Sequence, residues 1–294
     1  MNLLNLIQTS LKKSMQLQRE AESIKIEKIG ENLTPNLRAL RLTMGIADRL
    51  LSMGAPASDV VHMALGITNT YCTRKVHIDI SYTLITISQD RGVDREPLTI
   101  IRTIVAQDTN YQTIQQLQEL ANLIRAKKIT LSAAEKRFDR IITHQKTYPL
   151  WFKHLTSGGL SAGVSILYSG SIAIIAITFL IGFIISWGLY RLRKIGMPSF
   201  FVQVSAALFA TLVSGGLSWA VASGYLDIIS YINPTLVIIS GIVLLVAGMM
   251  IVGALQDAID EYYITATARI LKVIMLTGGI VMGSLSAGRL ISIT

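Results

Sequence analysis

The sequence predicts a multi-pass α-helical membrane protein with an N-terminal cytosolic α+β domain, about five transmembrane helices and an N-in/C-out topology. Three observations predict it. The 294 residues are 51% hydrophobic and only 15% charged, with a mean hydropathy of +0.51, where a soluble domain would carry about 25% charged residues. The charge is also unevenly placed: 21 of the 27 Lys and Arg residues, and 14 of the 18 acids, precede residue 154. Beyond that point the chain is a series of apolar runs separated by short basic segments. The net charge of +9 therefore belongs mostly to the first half and the membrane-proximal ends. A basic face beside an anionic leaflet accounts for it without nucleic acid. Cys72 is the lone cysteine, so no intrachain disulfide is possible, which fits a reducing compartment for the first half.

Residues 1–35 mix Lys, Glu and Ser with little periodicity and read as an arm. The opening 1–13 is too short and too polar for a cleaved signal; an amphipathic helix on the membrane and a frayed terminus both remain open. The cytosolic α+β domain is assigned to 36–150. Leu37, Leu40, Met44, Ala47, Leu50 and Leu51 recur at helical spacing, Gly54 closes that helix, Pro56 prevents its continuation, and Ser58 caps the next. The second helix buries Val60, Val61, Leu65 and Ile67. Val76, Ile78, Ile80, Tyr82 and Leu84 then alternate with polar residues as one strand, and a turn at Asp90-Arg91-Gly92 leads to another over 98–105. Two amphipathic helices follow, over 111–127 and 132–146. The second opens with a capping box, Ser132-x-x-Glu135, and Pro149 ends the domain.

The transmembrane domain is assigned to 151–294. Between Lys153 and Arg191 there is no Asp, Glu, Lys or Arg, enough for two helices at about 20 residues each. The spans are placed at about 152–168, 172–190, 200–222, 235–255 and 268–290, with turns at 169–171 and 223–233. Lys and Arg counted over short loops put the first half, the Arg191/Arg193/Lys194 cluster and the Arg269/Lys272 segment on the cytoplasmic side. Arg289 falls on the other side, where a terminal arginine can snorkel.

The stretch 234–272 carries the candidate chemistry. Its apolar span meets no charge until Asp257, then presents Asp260 and Glu261, and returns through Arg269 into another apolar run. Asp257, Asp260 and Glu261 share a helical face; they read either as a membrane-exit cap or as an acidic mouth which, with Arg269, would hold the ammonium and carboxylate of an amino acid or take part in proton coupling. The GxxxG pairs Gly159/Gly163 and Gly279/Gly283 predict close helix packing, and Gly248 is a candidate for unwound helix where a substrate meets backbone. No charge lies at mid-membrane depth, and the buried Asp, Glu or His that a proton pump or ion relay would usually carry there is not expected; the polar groups are small hydroxyls such as Ser240 together with Gln203. These hydroxyls either line a pathway or bond back to their own helix. His77 and Asp79 share a strand face without a nucleophile at recognisable spacing. Cys72, His62, His77, His144 and His154 form no known ligand pattern, so no catalytic residue, metal or cofactor is expected.

Taken together, Leu51-Ser-Met-Gly-Ala55, Ser58-Asp-Val-Val61, Tyr148-Pro-Leu-Trp151 and the Ala247-Gly248, Asp257, Arg269 series resemble the N-terminal component of the threonine/serine exporter family over about 36–290. Ala247 stands where the family often has proline, and Ala266-Thr267 replaces a step that often contains glycine. The resemblance implies a subunit of a secondary transporter in the plasma membrane, exporting threonine- or serine-type amino acids. Its substrate-pathway candidates are Asp257, Arg269, Gly248, Asp260 and Ser240. The length resembles the split form, in which a second small membrane subunit supplies the remaining spans, and some split pairs export dicarboxylates such as succinate. The implied partners are that subunit, the lipid bilayer, a small-molecule substrate and a further copy of the chain. A membrane-anchored hydrolase-like or regulatory subunit is the alternative of a different class.

Overall fold

The computed structural model describes residues 35–92, 95–105, 109–144, 148–168, 171–223, 234–246 and 248–293. The expected arm, most of the 169–171 turn, the loop after Ser223 and Ala247 lie outside these residues. The described residues divide into two compact units, one comprising those within 35–144 and 248–271, the other those within 148–246 and 272–293.

The first unit contains α1 (Pro35–Ser52), α2 (Ala57–Tyr71), β1 (Val76–Ser81), β2 (Leu84–Gln89), β3 (Leu98–Thr103), α3 (Tyr111–Arg125), α4 (Leu131–Thr143), α9 (Gly248–Ile259) and the beginning of α10 (Tyr263–Ile293). The sheet is antiparallel in the order β1-β2-β3. Its inward residues Ile85 and Ile87 join Leu40, Met44, Leu50, Ile67, Leu117, Leu120 and Ile124 in a core whose members are almost fully buried. The helical periodicity of the first two helices thus picks out the face that packs inward.

Three local signals read from the sequence resolve differently. The strand expected through Leu84 is a hairpin, with Ser81 opposite Leu84 and Tyr82-Thr83 as its two-residue loop. Two loop residues preserve the alternation, so periodicity alone sees one strand. The loop has no glycine; Tyr82 takes φ +46, and its N–H donates to Thr265 Oγ1 at 3.2 Å. Next, Ser58 lies inside the first turn of α2, whose N-cap position is Pro56, and its Oγ has no partner among the described residues. Finally, the capping box at Ser132 is not formed. α4 starts at Leu131 with Thr130 at its N-cap and no side-chain cap bond. Glu135 instead meets Arg38 of α1, with Nε donating to Oε1 at 3.1 Å and Nη2 donating to Oε2. A bidentate charge-assisted pair outcompetes a local cap.

Cys72 is half-buried at the end of α2, and burial pushes its thiol up to about 11. At about pH 8 roughly one thiol in a thousand is then ionised, against about a quarter for an ordinary cysteine. Maleimide labelling of the folded chain is expected to be slow and to accelerate about tenfold per pH unit. A rate already at its plateau by pH 9, about where an ordinary thiol is mostly ionised, would contradict this.

The second unit contains α5 (Leu150–Leu167), α6 (Ile172–Lys194), α7 (Ser199–Ala222), α8 (Pro234–Ile242), a 3-10 segment (Val243–Leu245) and the remainder of α10. Ile174, Ile181, Ile185, Ala206, Ala207, Ala210, Val237 and Ile280 form its core. Three helices are long and apolar enough to cross a membrane, Ile172–Lys194, Ser199–Leu217 and Tyr263–Arg289. The broken pair Leu236–Leu245 and Gly248–Ile259 makes a fourth if counted as one span. The expected first span is the 18-residue helix α5, whose Lys153, His154, serines and glycines keep it out of that apolar class. The described residues thus give three or four candidate spans where the sequence reading expects five.

Gly279 and Gly283 do face another helix. A Cβ on Gly279 would lie 3.1 Å from Phe200 O, and one on Gly283 would run into Val204 O. Gly159 and Gly163 meet nothing within 4 Å; α5 approaches α6 through Gly158 and Gly182 instead. The fourth apolar run is interrupted: Val246 is extended, with φ −70 and ψ 125. Leu245 O, left without a helical donor, accepts from Gln203 Nε2 at 2.9 Å. Broken helix at membrane depth needs such a partner.

Candidate functional site

The acid and arginine singled out in the sequence come together within the first unit. α9 ends in a Schellman turn: Glu261 has φ +68, its N–H donates to Ala258 O at 3.3 Å, and Tyr262 N–H donates to Asp257 O at 2.8 Å. This six-to-one closure reverses the chain into α10 and brings Arg269 back alongside Asp257. Asp257 Oδ2 lies 3.0 Å from Arg269 Nη1. Oδ2 makes no aligned hydrogen bond, so this contact is Coulombic.

The other ends of both side chains hold the connection between α1 and α2. That connection is itself a Schellman turn, with Gly54 at φ +94, Gly54 N–H donating to Leu51 O and Ala55 N–H donating to Leu50 O. Ala57 N–H, a free donor at the start of α2, donates to Asp257 Oδ1 at 2.7 Å. Arg269 Nη2 donates to Ala55 O at 2.8 Å. Asp257 thus takes, from 200 residues away, the capping role that the sequence assigns to Ser58, and its negative charge suits a helix N-terminus. Asp257 is 0% exposed and Arg269 9%. Gly253 leaves room for the guanidinium, since a Cβ there would lie 2.7 Å from Arg269 Nη1. Thr265, one turn before Arg269, accepts from Tyr82 N–H and donates to Ile80 O at 3.4 Å, tying the same helix to the hairpin.

The remaining expected residues stand apart from this clasp. Asp260 is exposed; its N–H donates to Gln256 O. Gly248 begins α9, and a Cβ added there would meet nothing within 4 Å. Ser240 belongs to the second unit, fully buried, with no partner for its Oγ among the described residues. His77 and Asp79 are exposed on the outer sheet face, where Asp79 Oδ2 accepts from Ser81 Oγ at 3.3 Å. Among the described residues no group of three or more His, Cys, Asp or Glu converges to hold a metal ion. Sequence reasoning misses Ala55 and Ala57, whose backbone groups carry no residue signature. It also passes over His154, whose signal is its position as the one histidine in the apolar half.

A positive φ at Glu261 is strained for any residue with a Cβ. Glu261→Gly is therefore expected to stabilise the first unit by about 1 kcal/mol, read as slower hydrogen exchange at Tyr262 N–H. Faster exchange there would show that the Glu261 side chain matters more than its backbone.

The chain matches the family described as "Putative threonine/serine exporter" over residues 41–291. It is 33% identical over 248 residues to the "Probable threonine/serine exporter" of Mycobacterium tuberculosis, covering 84% of this chain and 45% of that protein. It is 32% identical over 246 residues to the "Threonine/serine exporter" of Corynebacterium glutamicum, covering 83% of this chain and 49% of that one. The chain thus spans about half the length of the curated relatives it matches. No solved structure matches it.

Proposed function

Because the chain belongs to the threonine/serine exporter family, we propose that this membrane protein is one component of a secondary exporter in the plasma membrane, moving threonine- or serine-type amino acids outward. The relatives carry about as much chain again, and in this proposal a second small membrane subunit supplies the corresponding helices. The proposed topology places the basic segments at the cytoplasmic face, with α5 completing a set of five spans and the C-terminus outside.

The observation that carries the choice of solute is the Asp257–Arg269 pair. Each charge already has an opposite charge and a backbone group as partners. A solute using these residues has to take over both, because a lone buried charge is strongly unfavourable. An amino acid brings one ammonium and one carboxylate, and so exchanges for the pair one charge for one. A dicarboxylate offers Asp257 no cation. The same chemistry favours an amino acid over succinate, and in this proposal the pair lies at the entry end of the pathway. Gly248, Asp260 and Ser240 are proposed as further points along it.

The test is efflux from cells preloaded with threonine, serine or succinate. The strains compared lack the chain, or carry it as wild type, Asp257→Asn or Arg269→Gln, each with and without the second subunit. Amino-acid efflux that depends on the chain and falls about tenfold or more in either variant supports the reading, since one charge-assisted contact is worth about 1.5–3 kcal/mol. Succinate efflux alone would reverse the choice of solute, and unchanged efflux in every strain would sink the proposal.

A further inference from the structure

The second unit holds one ionisable group in a setting that the clasp does not explain. His154, one turn into α5, is 6% exposed. Its Nδ1 lies 2.9 Å from Ser186 Oγ of α6. The rings of Phe183 and Tyr190 close around it at centroid distances of 5.9 and 6.0 Å, both tilted steeply. Burying an imidazole among apolar helices is unfavourable unless the group is used or fully satisfied, and ionisable residues in such segments mark proton or solute pathways.

We propose that the His154–Ser186 pair is a proton-binding site of the transporter, loading and releasing one proton per transport cycle. This rests on the exporter reading above. Histidine is the side chain that exchanges a proton in the physiological range, and here its partner is a hydroxyl, which both donates and accepts. With the imidazole neutral, Ser186 O–H donates to Nδ1. With a proton added, Nδ1–H donates to Ser186 Oγ, and the serine hydrogen turns to the carbonyl four residues back, that of Gly182. Both protonation states therefore keep a hydrogen-bonded partner, as a site that cycles between them requires.

Among the described residues, the second unit contains no Asp or Glu, so no fixed anion retains the added proton. On α6 the titratable neighbour is Tyr190, with exposed Arg191, Arg193 and Lys194 at the helix end. On α5 it is exposed Lys153. The described residues of α7, α8 and the 3-10 segment bring no titratable side chain. The Asp257–Arg269 pair is the opposite case, a permanent charge with a fixed counter-charge.

The experiment uses membrane vesicles from cells expressing the full exporter. In inside-out vesicles, whose lumen corresponds to the cell exterior, a lumen one pH unit more acidic than the medium can drive about a tenfold inward solute gradient per proton that leaves. Wild-type vesicles are expected to build such a gradient of threonine. His154→Gln vesicles are expected to keep threonine exchange at a reduced but measurable rate while losing gradient-driven accumulation. Accumulation by His154→Gln equal to wild type would overturn the inference and leave the exporter reading standing. Absence of any threonine transport by wild type would remove the exporter reading. The site would then be judged on the purified chain, by labelling of His154 with diethyl pyrocarbonate followed by mass spectrometry. Labelling that titrates over about pH 5–8 supports proton binding, and labelling that is flat across it overturns the inference. Should His154→Gln not insert, Ser186→Ala retains the imidazole and removes its hydroxyl. An unchanged pH midpoint for accumulation in that variant would also overturn it.

Discussion

Arg269→Ala is expected to destabilise the first unit by about 3–5 kcal/mol, because it leaves Asp257 as an uncompensated buried charge. Asp257 is 0% exposed. Its Oδ2 would lose the guanidinium 3.0 Å away, and Ala55 O would lose its donor. Asp257→Ala is expected to cost less. Arginine has a long stem that can swing its charge to solvent, so the main loss is the cap on α2, about 0.5–2 kcal/mol. The double variant Asp257→Asn/Arg269→Gln removes both charges and keeps hydrogen-bonding groups in place. It is expected to recover at least half of the loss seen in Arg269→Ala. Hydrogen exchange over residues 55–61 reads the effect where it occurs, at the α1–α2 turn and the start of α2. If the double variant exchanges as fast as the sum of the single changes Asp257→Asn and Arg269→Gln predicts, the pair is not coupled and the clasp is incidental.

This asymmetry explains why the sequence locates the two residues but not their arrangement. Asp257 and Arg269 stand out as charges bordering apolar runs. What they hold are two backbone groups, Ala57 N–H and Ala55 O, which no side-chain pattern announces. The same cause lies behind the other departures. Ser58 is a sound N-cap candidate by its position before a helix, yet Asp257 takes that role from far along the chain. Ser132 and Glu135 have the spacing of a capping box, yet Arg38 draws Glu135 away. Tyr82 continues a strand by alternation, yet Thr265 secures its N–H and the chain turns. In each case a local rule meets a partner distant in sequence, and the distant partner offers a charge or a buried hydrogen bond. Helices α1 to α4 are legible because their apolar spacing reports directly on the core they pack against. The long apolar runs are legible for a similar reason, while α5 reads as an ordinary span because its polar residues are interspersed rather than clustered. That same interspersion hides His154, which composition counts as one polar residue and packing turns into a buried pair.

Gly283→Ala is expected to disrupt the packing of α10 on α7, by about 1–3 kcal/mol and more for Gly283→Val. The added Cβ would run into Val204 O and would lie 3.0 Å from both Leu208 N and Ala207 Cβ. Two of these atoms belong to the α7 backbone and cannot rotate away as a side-chain tip can, so the helices must separate. Gly182→Ala provides a contrast within the same unit. Ser161 Oγ can rotate away from the added Cβ, but Ser161 Cβ at 2.8 Å and Ser157 O at 3.0 Å cannot, so the loss is expected to differ only by what that rotation relieves. Gly278→Ala, on the same helix as Gly283, meets nothing within 4 Å. Alanine is the better helix former by about 1 kcal/mol, so this change should be neutral or stabilising. Melting of the detergent-solubilised protein, with cross-linking between cysteines introduced on α7 and α10, reads both effects. Opposite signs at Gly278 and Gly283 tie the loss to the helix contact. A loss at both would mean that helix flexibility, rather than close approach to α7, is what the glycines supply.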